Sequence, residues 1–398
     1  MRRIAFVTGC LEPGRDGVGD YTRDLAAECV RAGHDCLLVA LNDPHASGER
    51  DERSQSARGV TLPALRLHAA QPWDARFAAA ARSLDAAAAD DVSYQFVPYA
   101  LHPKGIVTGL EAPLAKLARG RETHLMCHEL WVGAERGATL RHRLVGRLQR
   151  AAVLRLVREL APRVVHTSNA AYRELLALAG VPARVLPLCG SVPVAEPPPA
   201  EWLAQELLAR GVPAEFTGSG EPVWRLGVFG SIHPGWAPEP LLDAVVAEAR
   251  RAGRRVLLVS IGRQGHGAET WTRLGRRRSA GFATCTLGER NGRELSWFLQ
   301  SIDVGVATTP WALIGKSATV AAMLDHGLPV VVPRDDVNFG FKLPPPDDAL
   351  LHRYEPDFAR RMASGLLRRE PVDGAALLAA RFLVDLHADM DVEAAAGG

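Results

Sequence analysis

Trp311-Ala-Leu-Ile-Gly-Lys-Ser-Ala-Thr-Val-Ala-Ala-Met-Leu-Asp-His-Gly-Leu-Pro-Val-Val-Val332 sets a loop, a helix and a strand in the order that α/β sheets use. The apolar run Val304 to Ala307 before it reads as a strand. Ser317 to His326 has helical composition, and Gly327 stands where a left-handed C-terminal cap belongs. Leu328 to Val332 is the next strand. The N–H groups of Gly315, Lys316 and Ser317 are then expected to lie unpaired in the first helical turn. The helix dipole, the Lys316 ammonium and the Ser317 and Thr319 hydroxyls add attraction for phosphate oxygens. Gly315, Ser317, Ala318 and Thr319 are therefore candidate ligand contacts and Lys316 a candidate catalytic cation. Gly-Lys-Ser is also the second half of a Walker A loop, but position 310, where that motif needs glycine, holds Pro310. A plain β-to-α turn with a solvated lysine is the simpler alternative.

A chain of 398 residues, 47% hydrophobic and 23% charged, is too long for one typical domain and ordinary for a globular protein. A net charge of +2 gives no global argument for nucleic acid. The six cysteines form no Cys-x-x-Cys pair and several lie in apolar runs, which fits buried free thiols in a reducing compartment and no zinc. The apolar run after Met1-Arg-Arg is too short for a signal-peptide core, and no stretch approaches membrane-spanning length. These readings place the protein in the cytoplasm.

Ile4 to Thr8 (strand), Gly9 to Gly19 (loop), Asp20 to Arg31 (helix) and Asp35 to Leu41 (strand) make one βαβ unit. Strands at Val92 to Val97, His124 to Cys127 and Arg163 to Thr167 extend a parallel sheet flanked by helices. The pattern repeats with strands at Arg225 to Phe229, Arg255 to Ile261, Thr284 to Leu287 and Val304 to Ala307, and Asn291 with Glu294 resembles a capping box. The implied organisation is an α/β protein of two Rossmann-like, doubly wound domains. An N-terminal domain spans 1–195, a Pro/Gly-rich linker 196–222 and a C-terminal domain 223–373, with a final helical stretch, 374–398, available to pack back on the first domain.

In doubly wound sheets, ligands lie beyond the carboxyl ends of the strands. The first such loop carries Gly17-Val18-Gly19 before a helix, followed by Asp20 and Tyr21. The third glycine of the dinucleotide fingerprint is missing, since position 22 is Thr22, and Asp20 has a simple alternative role as helix N-cap. Gln95, His128 and Glu129 lie at two further strand ends, Gly230-Ser231-Ile-His233 and Gly262-Arg263 at others. Arg263 is a candidate second cation, because a guanidinium pairs bidentately with phosphate. Asp389-Met-Asp391 has the spacing of a metal-binding Asp-x-Asp but lies in a tail. From Arg136 to Arg163 there are eight arginines and one acid, Glu159, interleaved with Leu and Val as in a pair of basic amphipathic helices. This segment is either a solvated face or a membrane-surface patch.

The ordered set of the Gly-Val-Gly loop with Asp20 and Tyr21, the His128 strand end, the interdomain Pro region and the terminal Gly-Leu-Pro-Val-Val resembles the retaining glycosyltransferases of the GT-B fold, family four in particular. The resemblance spans nearly the whole chain. It implies an acceptor-binding amino domain, a carboxyl domain for a nucleotide-sugar donor, and transfer with retention in the cleft between them. A UDP-sugar is the working donor, and a small molecule, glycan or lipid-linked group the acceptor. No metal, separate cofactor or nucleic acid is implied. The family usually carries two glutamates eight residues apart around this helix, and alignment on Gly327 puts Ile314 and Ala322 there. Donor contacts would instead run through Lys316, Ser317 and Thr319, with His128 orienting the sugar or acceptor hydroxyl. A sugar-nucleotide epimerase or phosphorylase on the same fold, and a non-catalytic sugar-nucleotide-binding protein, are the alternatives.

Overall fold

The computed structural model describes residues 1–217, 222–277 and 281–387. Contacts divide the chain into two compact units, one of Met1–Leu188, Phe339–Phe341 and Ala375–Gly398, the other of Cys189–Asn338 and Lys342–Gly374.

The strands of the first unit are β1 (Arg3–Thr8), β2 (Asp35–Asp43), β3 (Arg50–Asp51), β4 (Gln55–Ala57), β5 (Val60–Leu62), β6 (Ala64–His68), β7 (Asp91–Phe96), β8 (Glu122–Cys127), β9 (Val164–Thr167) and β10 (Arg184–Val185). Among the described residues, the main sheet runs β10-β9-β8-β7-β1-β2-β6-β3, parallel except for β3, and β4 pairs with β5 in a separate ribbon. A parallel sheet is covered on both faces, so its strands read as unbroken apolar runs. Ile4, Ala5, Phe6 and Val7 are all buried. Helices α1 (Gly17–Arg31), α2 (Trp73–Ala86), α3 (Pro98–Leu101), α4 (Glu111–Leu117), α5 (Leu140–Leu160) and α6 (Ala170–Ala177) connect these strands.

The strands of the second unit are β11 (Val223–Phe229), β12 (Arg255–Ile261), β13 (Phe282–Gly288), β14 (Val304–Val306), β15 (Val330–Val332) and β16 (Leu351–Arg353), all parallel in the order β13-β12-β11-β14-β15-β16. Its helices are α7 (Trp202–Leu208), α8 (Glu239–Arg251), α9 (Ala268–Gly275), α10 (Gly292–Ser301), α11 (Ala318–Asp325) and α12 (Phe358–Ala363). One core cluster contains Leu203, Leu257, Val259 and Phe298, another Trp236, Leu241, Leu258 and Phe358. Leu257 and Val259 alternate with Leu258 along β12, so the two clusters cover opposite faces of the sheet.

The last described helix, α13 (Ala375–His387), belongs to the first unit and packs on α1. Its Phe382 is fully buried, with its ring centroid 5.7 Å from Phe6 and 5.0 Å from His124.

Two expectations change. The stretch 196–222 is no free linker: its described part contains α7 and a short 3-10 turn, and buries Leu203, Leu207 and Phe216 in the second unit. The basic segment Arg136 to Arg163 holds one long helix, α5, rather than a pair, because no glycine or proline interrupts it except Gly146, which a tight approach to the Val132 carbonyl requires. The Asp389-Met-Asp391 sequence lies outside the described residues. All six cysteines are buried free thiols, and burial pushes Cys127 up to about 12.

Candidate functional site

In a doubly wound sheet the strand order reverses at one point, and the loops there part to leave a crevice. In the second unit the reversal falls between β11 and β14. The β11 loop begins with Gly230 (φ +76°), a left-handed conformation that a side chain rarely adopts, and a Cβ there would meet Thr319 Cγ2 at 3.0 Å. Glycine thus lets the loop lie directly against the start of α11. The β14 loop is tied to it by the Thr308 hydroxyl, which donates to the Ser231 carbonyl at 3.1 Å.

Basic side chains gather around these loops. The Arg334 guanidinium, 7% exposed, donates to Asp336 at 3.0 and 2.6 Å and to the Thr308 carbonyl at 3.3 Å. His233 lies beside it. Partial burial and then the positive charges of Arg334 and Lys316 push its imidazole below the ordinary value, against the pull of Asp336. Lys316, Arg334 and neutral His233 therefore form one electropositive group at the carboxyl ends of β11, β14 and β15. Arg334 and Asp336 escaped the sequence reading, although the strand-end argument applied to the other strands would have found Pro333-Arg-Asp-Asp336 directly after β15.

The helix start is displaced from its expected place. Residues Trp311–Lys316 form a 3-10 helix, and α11 begins at Ala318 with Ser317 as N-cap. The Ser317 N–H donates to the Ile314 carbonyl at 3.1 Å, and its hydroxyl accepts from Val320 N at 3.4 Å and pairs with Thr319 Oγ1 at 3.0 Å. Gly315 and Ser317 consequently do not offer first-turn amides; that role falls to Ala318 and Thr319. The other end follows expectation. The N–H groups of Gly327 and Leu328 reach back to the Leu324 and Met323 carbonyls, a Schellman cap with Gly327 at φ +67°. Arg263 is not an unoccupied phosphate clamp, since its guanidinium pairs with Glu289 at 3.2 Å, both side chains being well exposed. Such a pair contributes about 0–1 kcal/mol and opens readily.

In the first unit the structure brings together Tyr21, Gln95 and His128. The His128 ring lies edge-on to Tyr21 with centroids 4.9 Å apart, and its Nε2 is 2.9 Å from Gln95 Oε1. Complete burial pushes His128 down to about 3, so the ring is neutral at any physiological pH. Glu129 follows it, half-buried.

The Gly-Val-Gly loop differs from the reading. Helix α1 begins at Gly17, and its N-cap is Asp16, whose carboxylate accepts from Val18 N at 2.8 Å and Gly19 N at 2.9 Å. Those amides are occupied and do not face an anion. Asp20 is not the cap; it accepts from Gly14 N at 3.0 Å and binds Arg23. Gly19 serves packing instead, because a Cβ there would lie 2.6 Å from the Cys10 carbonyl. Among the described residues, no group of three or more His, Cys, Asp or Glu side chains is placed to hold a metal.

Comparison with known proteins bears on the first unit directly, where residues 15–189 match the family described as Glycosyltransferase Family 4. This segment is a glycosyltransferase family 4 domain. Three solved structures share the fold of the whole chain. HepE of Anabaena, in complex with UDP and glucose, is 16% identical with a TM-score of 0.56, covering 98% of this chain and 100% of its own. A glycosyltransferase from Rickettsia africae is 10% identical (TM-score 0.52, covering 97% and 93%). The lipopolysaccharide outer core galactosyltransferase WaaB in its apo form is 13% identical (TM-score 0.50, covering 96% and 97%). At these identities the likeness establishes the GT-B fold. No curated protein matches the chain.

Proposed function

We propose that the protein is a glycosyltransferase that takes a sugar from a nucleoside-diphosphate donor bound by the second unit and passes it to an acceptor hydroxyl. One observation carries the reading: Lys316, Arg334 and the start of α11 meet at the switch point of the second sheet, beside Gly230. When a nucleoside diphosphate departs, negative charge accumulates on its phosphate oxygens, and fixed positive charge placed there lowers the barrier. Gly230, Ser231, Ala318 and Thr319 let the diphosphate approach the backbone, and Arg263 joins when it leaves Glu289. A UDP-sugar is the first donor to test, because HepE is solved with UDP and with UDP-glucose. On this reading the transfer proceeds with retention and without metal, in the cytoplasm, and His128 orients a sugar or acceptor hydroxyl.

The test is thermal unfolding with a panel of nucleoside diphosphates, since a ligand that binds only the native state raises the midpoint. At least one is expected to do so in the wild type and not in Lys316→Ala. No rise with any of them rejects the reading.

The acceptor side includes an anionic lipid surface. In α5, Leu140, Leu144 and Leu148 form an exposed stripe (78, 62 and 58% exposed) amid Arg141, Arg143 and Arg147. A basic groove of about 1330 Å³ that includes Arg150, Arg155 and Arg158 continues along the same helix. Apolar side chains flanked by arginines match the headgroup boundary of a bilayer. No described helix is long and apolar enough to cross a membrane, so the contact on this reading is peripheral. Sedimentation with phosphatidylglycerol vesicles at physiological salt is expected to carry the wild type down and to leave Leu144→Glu in solution; a wild type that stays in solution sinks the membrane contact.

A further inference from the structure

Gln95 does more than meet His128: it starts a line of buried polar side chains that crosses three strands of the first unit. Parallel register places Ser93 opposite His124, and Gln95 opposite Met126 and His166, so all of them project from one face of β7, β8 and β9. Along that face His128 Nε2 lies 2.9 Å from Gln95 Oε1, and Gln95 Nε2 lies 2.7 Å from Ser93 Oγ. Ser93 Oγ is 2.8 Å from His124 Nδ1, and His124 Nε2 is 3.0 Å from His166 Nδ1. His166 Nε2 ends the line 2.9 Å from the Asp385 carboxylate on α13, whose other oxygen accepts from Arg184 at 2.8 Å.

The direction of every bond follows from the last one. A carboxylate paired with a guanidinium only accepts, so His166 Nε2 carries the proton and its Nδ1 is a lone pair. That lone pair requires N–H at His124 Nε2, which leaves His124 Nδ1 to accept from the Ser93 hydroxyl. Ser93 in turn accepts from the Gln95 amide, and Gln95 Oε1 accepts from His128. The alternative direction would leave facing donors or facing lone pairs at some link, and a buried polar group left without a partner is destabilising. Burial holds all three imidazoles neutral. His124 is pushed well down by desolvation and by its two histidine neighbours, and for His166 desolvation outweighs Asp385.

We infer that Asp385 sets the tautomer of His128 through this relay, fixing the proton on Nε2 and leaving Nδ1 as an acceptor. Among the described residues no hydrogen bond engages that Nδ1. Resting on the glycosyl-transfer reading, the group His128 receives is then a hydrogen-bond donor, a sugar or acceptor hydroxyl, and not a carbonyl or phosphate oxygen. Ser93, Gln95, His124, His166 and Asp385 act as positioning residues, reaching the substrate only through His128.

The experiment is long-range ¹H–¹⁵N correlation of the histidine rings at neutral pH in ligand-free protein labelled on histidine, so its outcome is independent of whether any donor is found. In the wild type the protonated nitrogen is expected to be Nε2 in His124, His128 and His166. Ser93→Ala is expected to move His128 alone into a mixture of tautomers, because His124 and His166 remain anchored to Asp385. Asp385→Asn, whose amide oxygen is held by Arg184 and whose NH2 therefore faces His166, is expected to shift all three towards the Nδ1–H form. A wild-type Nδ1–H form at any of the three rings, or an unchanged His128 in both variants, overturns the inference. General unfolding would collapse every histidine signal together and is thereby distinguished.

Discussion

The strand ends of the two sheets solve different chemical problems. In the first unit the candidate groups are neutral, buried and tied to one another: His128 packs at a steep angle against Tyr21 and donates a hydrogen bond from Nε2 to the Gln95 amide oxygen. In the second, two of them are cationic, with Lys316 and the buried Arg334 beside a neutral, solvent-exposed His233 near the start of α11. A neutral, direction-fixed site recognises hydroxyls by hydrogen-bond geometry, whereas a cationic one recognises a diphosphate by charge. A transferase between an alcohol and a nucleoside diphosphate needs one of each.

The contrast is open to attack from both sides. The largest effect is expected from Phe382→Ala, which empties the space between Phe6 and His124; loss of a buried aromatic costs about 3–5 kcal/mol, and chemical denaturation followed by circular dichroism reads it. An unchanged midpoint would mean that α13 is not part of the first unit's core. Lys316→Ala is expected to lower turnover by roughly 10²–10³-fold, the cost of removing one donor to developing negative charge. Raising ionic strength should weaken nucleotide binding in the wild type, since exposed charges are screened. Near-normal transfer by the variant would show that charge at the second site is incidental.

Acid tests the buried imidazoles of the first unit. His128 has an ordinary value of 6.5 in the unfolded chain and about 3 in the fold. Between those values the unfolded state binds the extra proton, so stability from keeping His128 neutral is full above about 6.5 and lost as pH falls towards about 3. His124 and His166 shift in the same direction. Hydrogen exchange of the β8 amides, corrected for intrinsic rates, is expected to lose protection across that window and to be insensitive to salt. The smallest effect is Asp16→Ala: removing the cap of α1 should cost about 1 kcal/mol and leave nucleotide binding by the second unit untouched. A large loss of nucleotide binding in that variant would undo the division of labour.

How far the sequence led depends on what each feature needs. Strands such as β1 and β12 were legible because a sheet covered on both faces leaves unbroken apolar runs, and Gly327 was legible because a Schellman cap is a local affair. Helix α1 was placed too late. Gly17 and Gly19 argue against helix on propensity, yet the close approach of Gly19 to the Cys10 carbonyl, a tertiary demand, overrides it. The first-turn amides also moved, from Gly315 to Ala318, as the 3-10 turn Trp311–Lys316 and a helical first turn share one composition. Strands β3 to β6 were missed because they are short and partly polar. Alternation in β7, β8 and β9 tells which residues share a face, but not that β7 lies beside β8 and β8 beside β9. The alignment of Ser93, His124 and His166 with Asp385 therefore stayed hidden.

Helix α13 has a consequence for how the molecule is made. The amino-terminal unit is completed by Ala375–His387, residues separated from residues 1–188 by the whole of the second unit. A ribosome that has emitted residues 1–188 has released a sheet whose Phe6 and His124 still lack their cover. The second unit, though encoded after residues 1–188, has all of its own residues in hand before α13 follows, so the first unit's core is the later of the two to have its full set of residues.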